Sequence, residues 1–267
     1  MKKYLSYFRI RFINSLQYRT AAYAGIATQF VWGFMEILMF SAFYNENPAS
    51  FPMDFSALSS YVWLQQAFVA IFMLWFWDKD IFNLISNGTL AYELIRPADV
   101  YWMWFTKNAA LRISAALLRC VPILVIASLL PSPYGLSLPA SPTAFIMFLI
   151  TGILSFMTVL SLCMIVYAGS VYTISPKGLM IIVTAASELL SGSLIPIPFM
   201  PDWLEQILYF TPFASMQNLP LRIYGGDIAG TQMAGSVLLQ IFWLFTLMLL
   251  GRVMLSKGLK SAALQGG

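Results

Sequence analysis

The sequence contains no histidine and only two cysteines, and charged residues make up just 10% of its 267 residues. Without histidine, the chain cannot use a histidine general base, a histidine metal ligand or a histidine proton relay. It also lacks a serine nucleophile elbow, a Cys-x-x-Cys pair and the G-x-x-x-x-G-K-S/T phosphate loop, which excludes ATP binding through a P-loop of its own. We expect no enzymatic activity, no metal and no cofactor in this chain.

Hydrophobic residues are abundant instead, at 60% of the chain, and the mean hydropathy is +0.76. A soluble globular domain carries about 25% charged residues and does not need repeated apolar runs of bilayer length. We therefore expect an all-α, polytopic membrane protein that forms a single domain over residues 1–267. Cys120 and Cys163 both lie in apolar runs and are interpreted as small buried residues.

Six apolar runs are long enough to be transmembrane helices. They lie at Thr20–Tyr44, Ser59–Trp77, Ala109–Leu130, Thr143–Tyr167, Gly178–Ile195 and Gln232–Leu255. Before them, residues 1–19 place Leu5, Phe8, Phe12 and Leu16 on one side of a helix, which predicts an interfacial helix against membrane lipid. This start is basic and then apolar like a signal peptide, but no Ala-x-Ala-like site follows it, so we expect it to stay attached.

The positive charges favour one side of this six-helix arrangement. If both termini lie inside, the cations on or near the inner side are Lys2, Lys3, Arg9, Arg11, Arg19, Lys79, Arg96, Lys107, Arg112, Lys177, Arg252, Lys257 and Lys260. Arg222 falls on the other side. Cytoplasmic loops of membrane proteins carry the excess of Lys and Arg, so we predict a multi-pass protein with both termini in the cytoplasm. The net charge of +4 is attributed to this orientation and not to nucleic-acid binding.

Three ionisable residues lie at membrane depth, away from the ends of their predicted spans: Glu36, Arg119 and Glu188. A charge at membrane depth costs about 2.5 to 3.5 kcal/mol on insertion scales, so these residues should face protein or water. We predict that Arg119 is neutralised by Glu36 or Glu188. Two interpretations remain open: a polar translocation pathway formed by Gln29, Glu36, Thr184 and Glu188, or an ion pair that only locks helices together. No paired-aspartate motif accompanies the two glutamates, which argues against an intramembrane hydrolase.

The longest inner connection, residues 78–108, alternates charges with large apolar residues. Asn87 and Gly88 predict a turn between two short elements, and Pro97 ends the second. Apolar side chains on the inner face predict docking, either onto the bilayer surface or into the groove of a partner. The residues of this predicted docking region, 78–97, are Ile81, Phe82, Ile85, Gly88, Leu90, Leu94, Arg96 and Pro97.

The stretch SGSLIPIPFMPDWLEQILYFTPFASM, residues 191–216, is apolar but contains four prolines. Each proline removes a backbone donor and obstructs the preceding helical turn, so a straight lipid-exposed helix through this stretch is excluded. We predict an outer re-entrant hairpin at residues 194–213. Its second arm is a short helix that starts at Pro201 and Asp202 and dips Trp203, Ile207 and Phe210 into the membrane surface.

Two motifs resemble a known family. NLISNGTLAYELIRP, followed much later by SGSLIPIPFMPDWLEQILYFTPFASMQNLPLRIYGG, is similar to the permease subunits of ABC-2 type ATP-binding cassette transporters. In that family an NG-x-L-x-x-x-L-x-x-P element lies between spans two and three. A G-x-x-I-P, P-x-W-L and P-F series lies between spans five and six. The resemblance covers essentially the whole chain.

The resemblance implies half of an exporter in a bacterial inner membrane: a permease paired with a second, identical or diverged, permease chain. Two copies of a cytoplasmic ATPase subunit would bind ATP and Mg and drive alternating access. Residues 78–97 would be the coupling region, and the hairpin would be an extracellular gate with Pro196, Pro198, Phe199, Pro201 and Trp203. The alternatives are a non-transporting membrane scaffold or sensor, and a secondary transporter. The residues do not select a substrate, although aromatic and Met-rich spans favour an amphipathic or hydrophobic one.

Overall fold

A computed structural model describes residues 2–17, 19–173 and 176–261, and within these residues the fold is all-helical. The helices are α1 (Lys2–Ser15), α2 (Arg19–Glu46), α3 (Phe55–Ala67), α4 (Val69–Phe72), α5 (Lys79–Ser86), α6 (Ala91–Leu94), α7 (Val100–Leu129), α8 (Pro142–Ser170), α9 (Pro176–Leu190), α10 (Asp202–Tyr209), α11 (Asn218–Gly225) and α12 (Gly230–Ser261). Single 3₁₀ turns lie at Pro48–Ser50 and Ile197–Phe199. The predicted all-α class is confirmed.

Four helices in the described ranges are long and apolar enough to cross a bilayer: Ala22–Glu46 in α2, Val100–Leu129, Pro142–Ser170 and Gly230–Lys260 in α12. They correspond to the first, third, fourth and sixth predicted spans. A chain with several such helices is a multi-pass membrane protein. The second and fifth predicted spans have a different form.

The second predicted span, Ser59–Trp77, is not one continuous helix. Phe68 leaves helical geometry after α3, and Met73 is extended after α4. The break is stabilised by Arg112 of α7, whose guanidinium donates to the carbonyls of Ala70 (3.0 Å), Met73 (2.6 Å) and Phe76 (3.0 Å). Helix ends leave carbonyls without partners, and a buried arginine supplies donors for them.

The fifth predicted span, Gly178–Ile195, is also shorter than expected, because α9 ends at Leu190. Its 15 residues measure about 22 Å at 1.5 Å per residue, less than the hydrocarbon thickness of about 30 Å. The chain then turns at Gly192, where φ is +79°. Tyr61 and Gln65 of α3 hold this turn by donating to the carbonyls of Gly192 and Ser193, both at 2.9 Å.

Helix α8 is the central helix of the bundle. In its most apolar stretch 61% of the residues are buried, against 22–33% in the other three long helices. Helices α7, α9, α11 and α12 all pack on α8, whereas α2 and α12 keep exposed apolar faces that include Leu38 and Leu249. Such faces indicate contact with lipid or with another transmembrane chain.

The two ends of the bundle differ. At one, called here the α1 end, α1 packs along the start of α7, and Lys3 donates to the carbonyl of Pro97 at 2.5 Å. At the other, called the distal end, the connections 47–54, 130–141 and 191–217 meet. There the rings of Phe51 and Phe199 meet edge to face, with centroids 5.1 Å apart.

Candidate functional site

A cavity of about 440 Å³ lies between α2, the broken second span and the turn after α9. Gln29, Trp32 and Glu36 are three and four residues apart on α2, so they share one helix face. Gly33 allows α2 to approach α3, because a Cβ there would lie 2.9 Å from the indole of Trp63. The lining residues are Gln29, Trp32, Met35, Glu36, Met39, Gln65, Gln66, Val69, Met73, Trp75, Glu188, Ser193 and Leu194.

Three polar groups that line this cavity, those of Gln29, Glu36 and Glu188, are wholly or partly without partners in the described chain. One carboxylate oxygen of Glu36 accepts a long hydrogen bond from Gln66 Nε2 (3.4 Å), and the other, Oε1, is buried without a partner. Glu188 makes no ion pair or hydrogen bond to any part of the chain that the structure describes. Gln29 is 95% buried and likewise has no hydrogen bond there. Buried polar groups are normally satisfied, so unpartnered ones mark a place for water or a ligand.

The structure brings together three of the four residues predicted for the pathway: Gln29, Glu36 and Glu188. Thr184 does not line the cavity; its hydroxyl accepts a hydrogen bond from the indole of Trp77 at 3.1 Å, one turn from Glu188 toward the α1 end. Sequence reasoning missed Gln65 and Gln66. The signal that could have found them is a pair of adjacent amide side chains within an apolar run. Polar residues at membrane depth often mark functional sites.

The predicted ion pair of Arg119 with Glu36 or Glu188 is wrong for the described chain. The guanidinium of Arg119 lies over the ring of Phe76, 5.4 Å from its centroid, and its Nε is buried without a partner. It also occupies the space beside Gly25, where a Cβ would meet it at 2.8 Å. Arg119 is therefore accommodated by an aromatic face and a glycine, which leaves both glutamates unpaired.

At the α1 end, the predicted docking region 78–97 folds as two short helices, α5 and α6. Asp78 caps the N-terminus of α5 and forms an ion pair with Lys107 (3.0 Å), which also binds Asp80 (3.1 Å). Arg11 of α1 reaches the same Asp80 at 3.6 Å. Gly88 has φ of +68° just after α5, the left-handed geometry that a helix-ending turn requires. These ion pairs tie α1, α5 and α7 together.

Two residues predicted to dock onto a partner are instead buried in this chain. Ile81 is completely buried and Leu90 is 5% exposed, and both belong to the core around α7 and α8. Phe82 and Ile85 are half-buried against the same core. Ile81 and Ile85 are four residues apart and therefore lie on one side of α5. That side faces the core, so its apolar side chains pack against their own chain and not against a partner.

The exposed surface of this region is formed by other residues. Leu94 is 38% exposed and Ile95 is 79% exposed, and Arg96 lies beside them, 3.4 Å from Glu93. The outward side of α5 is polar, with Lys79, Asn83, Ser86 and Asn87. We call these residues the coupling surface. Sequence reasoning missed Ile95. The signal that could have found it is its position at the end of the region, next to the charged Arg96, where an apolar side chain has no obvious place in the core.

At the distal end, residues 194–213, for which an outer hairpin is predicted, contain the 3₁₀ turn Ile197–Phe199 and helix α10, and the irregular backbone extends to Gln217. Pro196 is buried, Pro198 is half-buried, and Phe199 packs its ring on Phe40 and Phe51 at 5.2 and 5.1 Å. Helix α10 begins at Asp202, and the predicted surface-dipping residues are exposed on it and after it: Trp203 (65%), Ile207 (57%) and Phe210 (67%). Pro201 is the residue just before the helix and is exposed.

Carbonyls at the end of this irregular segment are satisfied inside the bundle. The hydroxyl of Ser155 in α8 lies 3.0 Å from the carbonyl of Ser215 and 2.6 Å from that of Met216. Gln240 of α12 donates to the carbonyl of Ser215 at 2.8 Å, and Gln217 contacts Gln65 at 3.4 Å. Non-helical backbone is tolerated at membrane depth only when protein groups satisfy it, as they do here.

Comparisons with known proteins agree with this architecture. No curated protein matches the chain. A family model described as ABC-2 family transporter protein matches residues 30–266, which include every element from most of α2 onward. With this match over most of its length and with four long apolar helices in its described ranges, the chain belongs to the ABC-2 family of transporter proteins.

Proposed function

We propose that the chain is the permease subunit of an ABC exporter, that it forms half of a translocation pathway, and that a separate ATPase subunit drives it. The observation that supports the proposal is the cavity between α2, the broken second span and α9, which in the described chain contains two unpaired glutamates and the unpartnered Gln29. Two carboxylates without cationic partners would be costly in an interface that only packs helices together. The lack of a phosphate loop in the sequence requires the energy of ATP to come from another chain.

A second permease chain, identical or diverged, would complete the pathway. The rim of the cavity is apolar and exposed, with Trp32 at 52%, Met35 at 50% and Trp75 at 49%. A flanking face of this kind suits a partner transmembrane chain better than water. Two such cavities facing one another would enclose a central path that includes Glu36 and Glu188.

The α1 end would face the cytoplasm of a bacterial cell, with the chain in the inner membrane and both termini inside. This orientation is supported by the distribution of Lys and Arg along the chain. The coupling surface would then meet the ATPase, of which two copies serve the pair of permeases and hold ATP and Mg. Its polar α5 face and the apolar Leu94 and Ile95 offer a mixed surface for docking.

A short chain of contacts can carry movement from the coupling surface to the cavity. Asp78 caps α5, and its neighbour Trp77 donates to Thr184 of α9. Thr184 lies one turn from Glu188, so a displacement of α5 moves the helix that holds this carboxylate. In alternating access, ATP binding would shift α5, rearrange α2, α3, α4 and α9 around the path, and open the distal hairpin at Phe199.

The proposal is tested on the coupling surface with Ile95→Asp. We expect this variant to reduce co-purification of the ATPase subunit and ATP-driven substrate flux, because a charge replaces an apolar contact at an exposed position. Leu138→Asp is the matched control, since Leu138 is 90% exposed at the distal end. Both variants should insert and elute as the unmodified protein does.

Unchanged ATPase binding and unchanged flux in Ile95→Asp would refute this coupling surface. If the unmodified chain associates with no Walker-A protein and supports no flux, the chain is a membrane scaffold or sensor, and the permease proposal is wrong. ATP-independent flux driven by an ion gradient would identify a secondary transporter instead.

A further inference from the structure

We infer that the cavity between α2, the broken second span and α9 binds a lipophilic organic cation. The inference rests on the proposed function and adds a substrate class to it. At about 440 Å³ the cavity lies within the range of about 300 to 1,000 Å³ that is typical of sites for drug-sized ligands. An inorganic ion would leave most of this volume empty.

The charges of the cavity have one sign. Glu36 and Glu188 both line it, neither forms an ion pair within the described ranges, and no Lys or Arg is among the lining residues. Arg119, which could have neutralised them, lies instead over Phe76. A cation entering the cavity would therefore meet two carboxylates with no internal competitor, and an anion would be repelled.

The other lining groups favour an organic cation with a large apolar surface. Trp32 and Trp75 present indole rings, which attract cations through their faces. Met35, Met39 and Met73 add polarisable thioethers that adapt to ligands of different shapes. The amide of Gln29, which has no partner in the described chain, and the buried Oε1 of Glu36 provide polar contacts for a ligand.

The test compares three probes of similar shape and different charge: tetraphenylphosphonium, neutral triphenylphosphine oxide and tetraphenylborate. Binding of each is measured by equilibrium dialysis against the full chain in nanodiscs, after subtraction of binding to empty nanodiscs. We expect tetraphenylphosphonium to bind most tightly and tetraphenylborate least tightly. Glu36→Gln and Glu188→Gln should each weaken tetraphenylphosphonium binding by at least about tenfold and bring the neutral and cationic probes closer together.

Glu46→Gln is the control, because Glu46 is exposed at the end of α2 and outside the cavity. Equal binding of the cation and the anion by the unmodified chain would overturn the inference, as would an absence of tetraphenylphosphonium binding. The comparison of probes needs no variant, so it remains decisive if a glutamine variant does not fold.

Failure of the inference is distinguishable from failure of the proposed function. Binding to the isolated chain requires no ATPase. A chain that binds an ATPase and transports some other molecule, but shows no preference for the cationic probe, refutes the substrate class alone. A chain that prefers the cationic probe but associates with no ATPase refutes the permease proposal alone.

Discussion

Replacement of Arg112 by methionine should destabilise the whole bundle, because Arg112 holds the break in the second span. Its side chain is completely buried and donates to three backbone carbonyls, to Asn108 Oδ1 at 2.7 Å and to Cys163 Sγ at 3.2 Å. An unsatisfied buried acceptor costs about 1 to 3 kcal/mol, so three orphaned carbonyls would cost about 3 to 9 kcal/mol. The variant no longer has to bury a charged guanidinium, and the desolvation cost that this saves offsets part of the loss. We expect the free energy of unfolding to fall by about 2 to 5 kcal/mol.

The free energy of unfolding can be measured by titration with sodium dodecyl sulfate in lipid–detergent micelles, with tryptophan fluorescence as the readout. The thiol of Cys163 provides a local readout, because it is completely buried beside Arg112 and should react faster with a maleimide in the variant. Arg252→Met is the control, since Arg252 is 57% exposed and its carboxylate partner is 4.0 Å away. A loss in Arg112→Met no larger than in this control would show that the carbonyl contacts do not stabilise the break.

Two further predictions concern the centre and the distal end of the bundle. Arg119→Met should insert normally and leave stability unchanged or raised by about 1 kcal/mol, because the change leaves no carboxylate of the described chain without a partner. Clear destabilisation would contradict this expectation. Phe40→Cys and Phe199→Cys, introduced after Cys120 and Cys163 are replaced by alanine, can be joined by a short bifunctional thiol reagent. This cross-link should block substrate flux and preserve assembly, since it fixes the distal segment to α2. Full flux in the cross-linked protein would exclude a gate at Phe199.

Sequence periodicity predicted the helices that depend only on their own residues. The four long apolar helices, the short helix from Asp202 and the turn at Gly88 are of this kind, because hydropathy, capping and backbone preference are local properties. The broken second span was not predictable in the same way. Its break depends on Arg112, which the positive-inside pattern placed among the cations near the inner side and the structure buries in the middle of the bundle.

The candidate site was predictable only in part for a related reason. A residue type and its spacing identify which side chains share a helix face, so Gln29 and Glu36 were found together. They do not identify which face turns inward in a short amphipathic helix, and Ile81 was therefore assigned to a partner although it completes the core. The surroundings of Arg119 were also unpredictable. An arginine can be accommodated by a carboxylate or, as here, by an aromatic ring and a glycine, and the sequence does not distinguish the two.

The way the distal segment is held has a consequence for the order in which the chain is made. The carbonyl of Ser215 is satisfied by Ser155, which is synthesised before it, and by Gln240, which lies in the last helix. Until α12 enters the membrane, the segment between α9 and α12 lacks one of its donors. Helix α12 must therefore be synthesised before the irregular backbone around Ser215 reaches its final structure, and a chain truncated ahead of Gln240 should be an early substrate for membrane quality-control proteases.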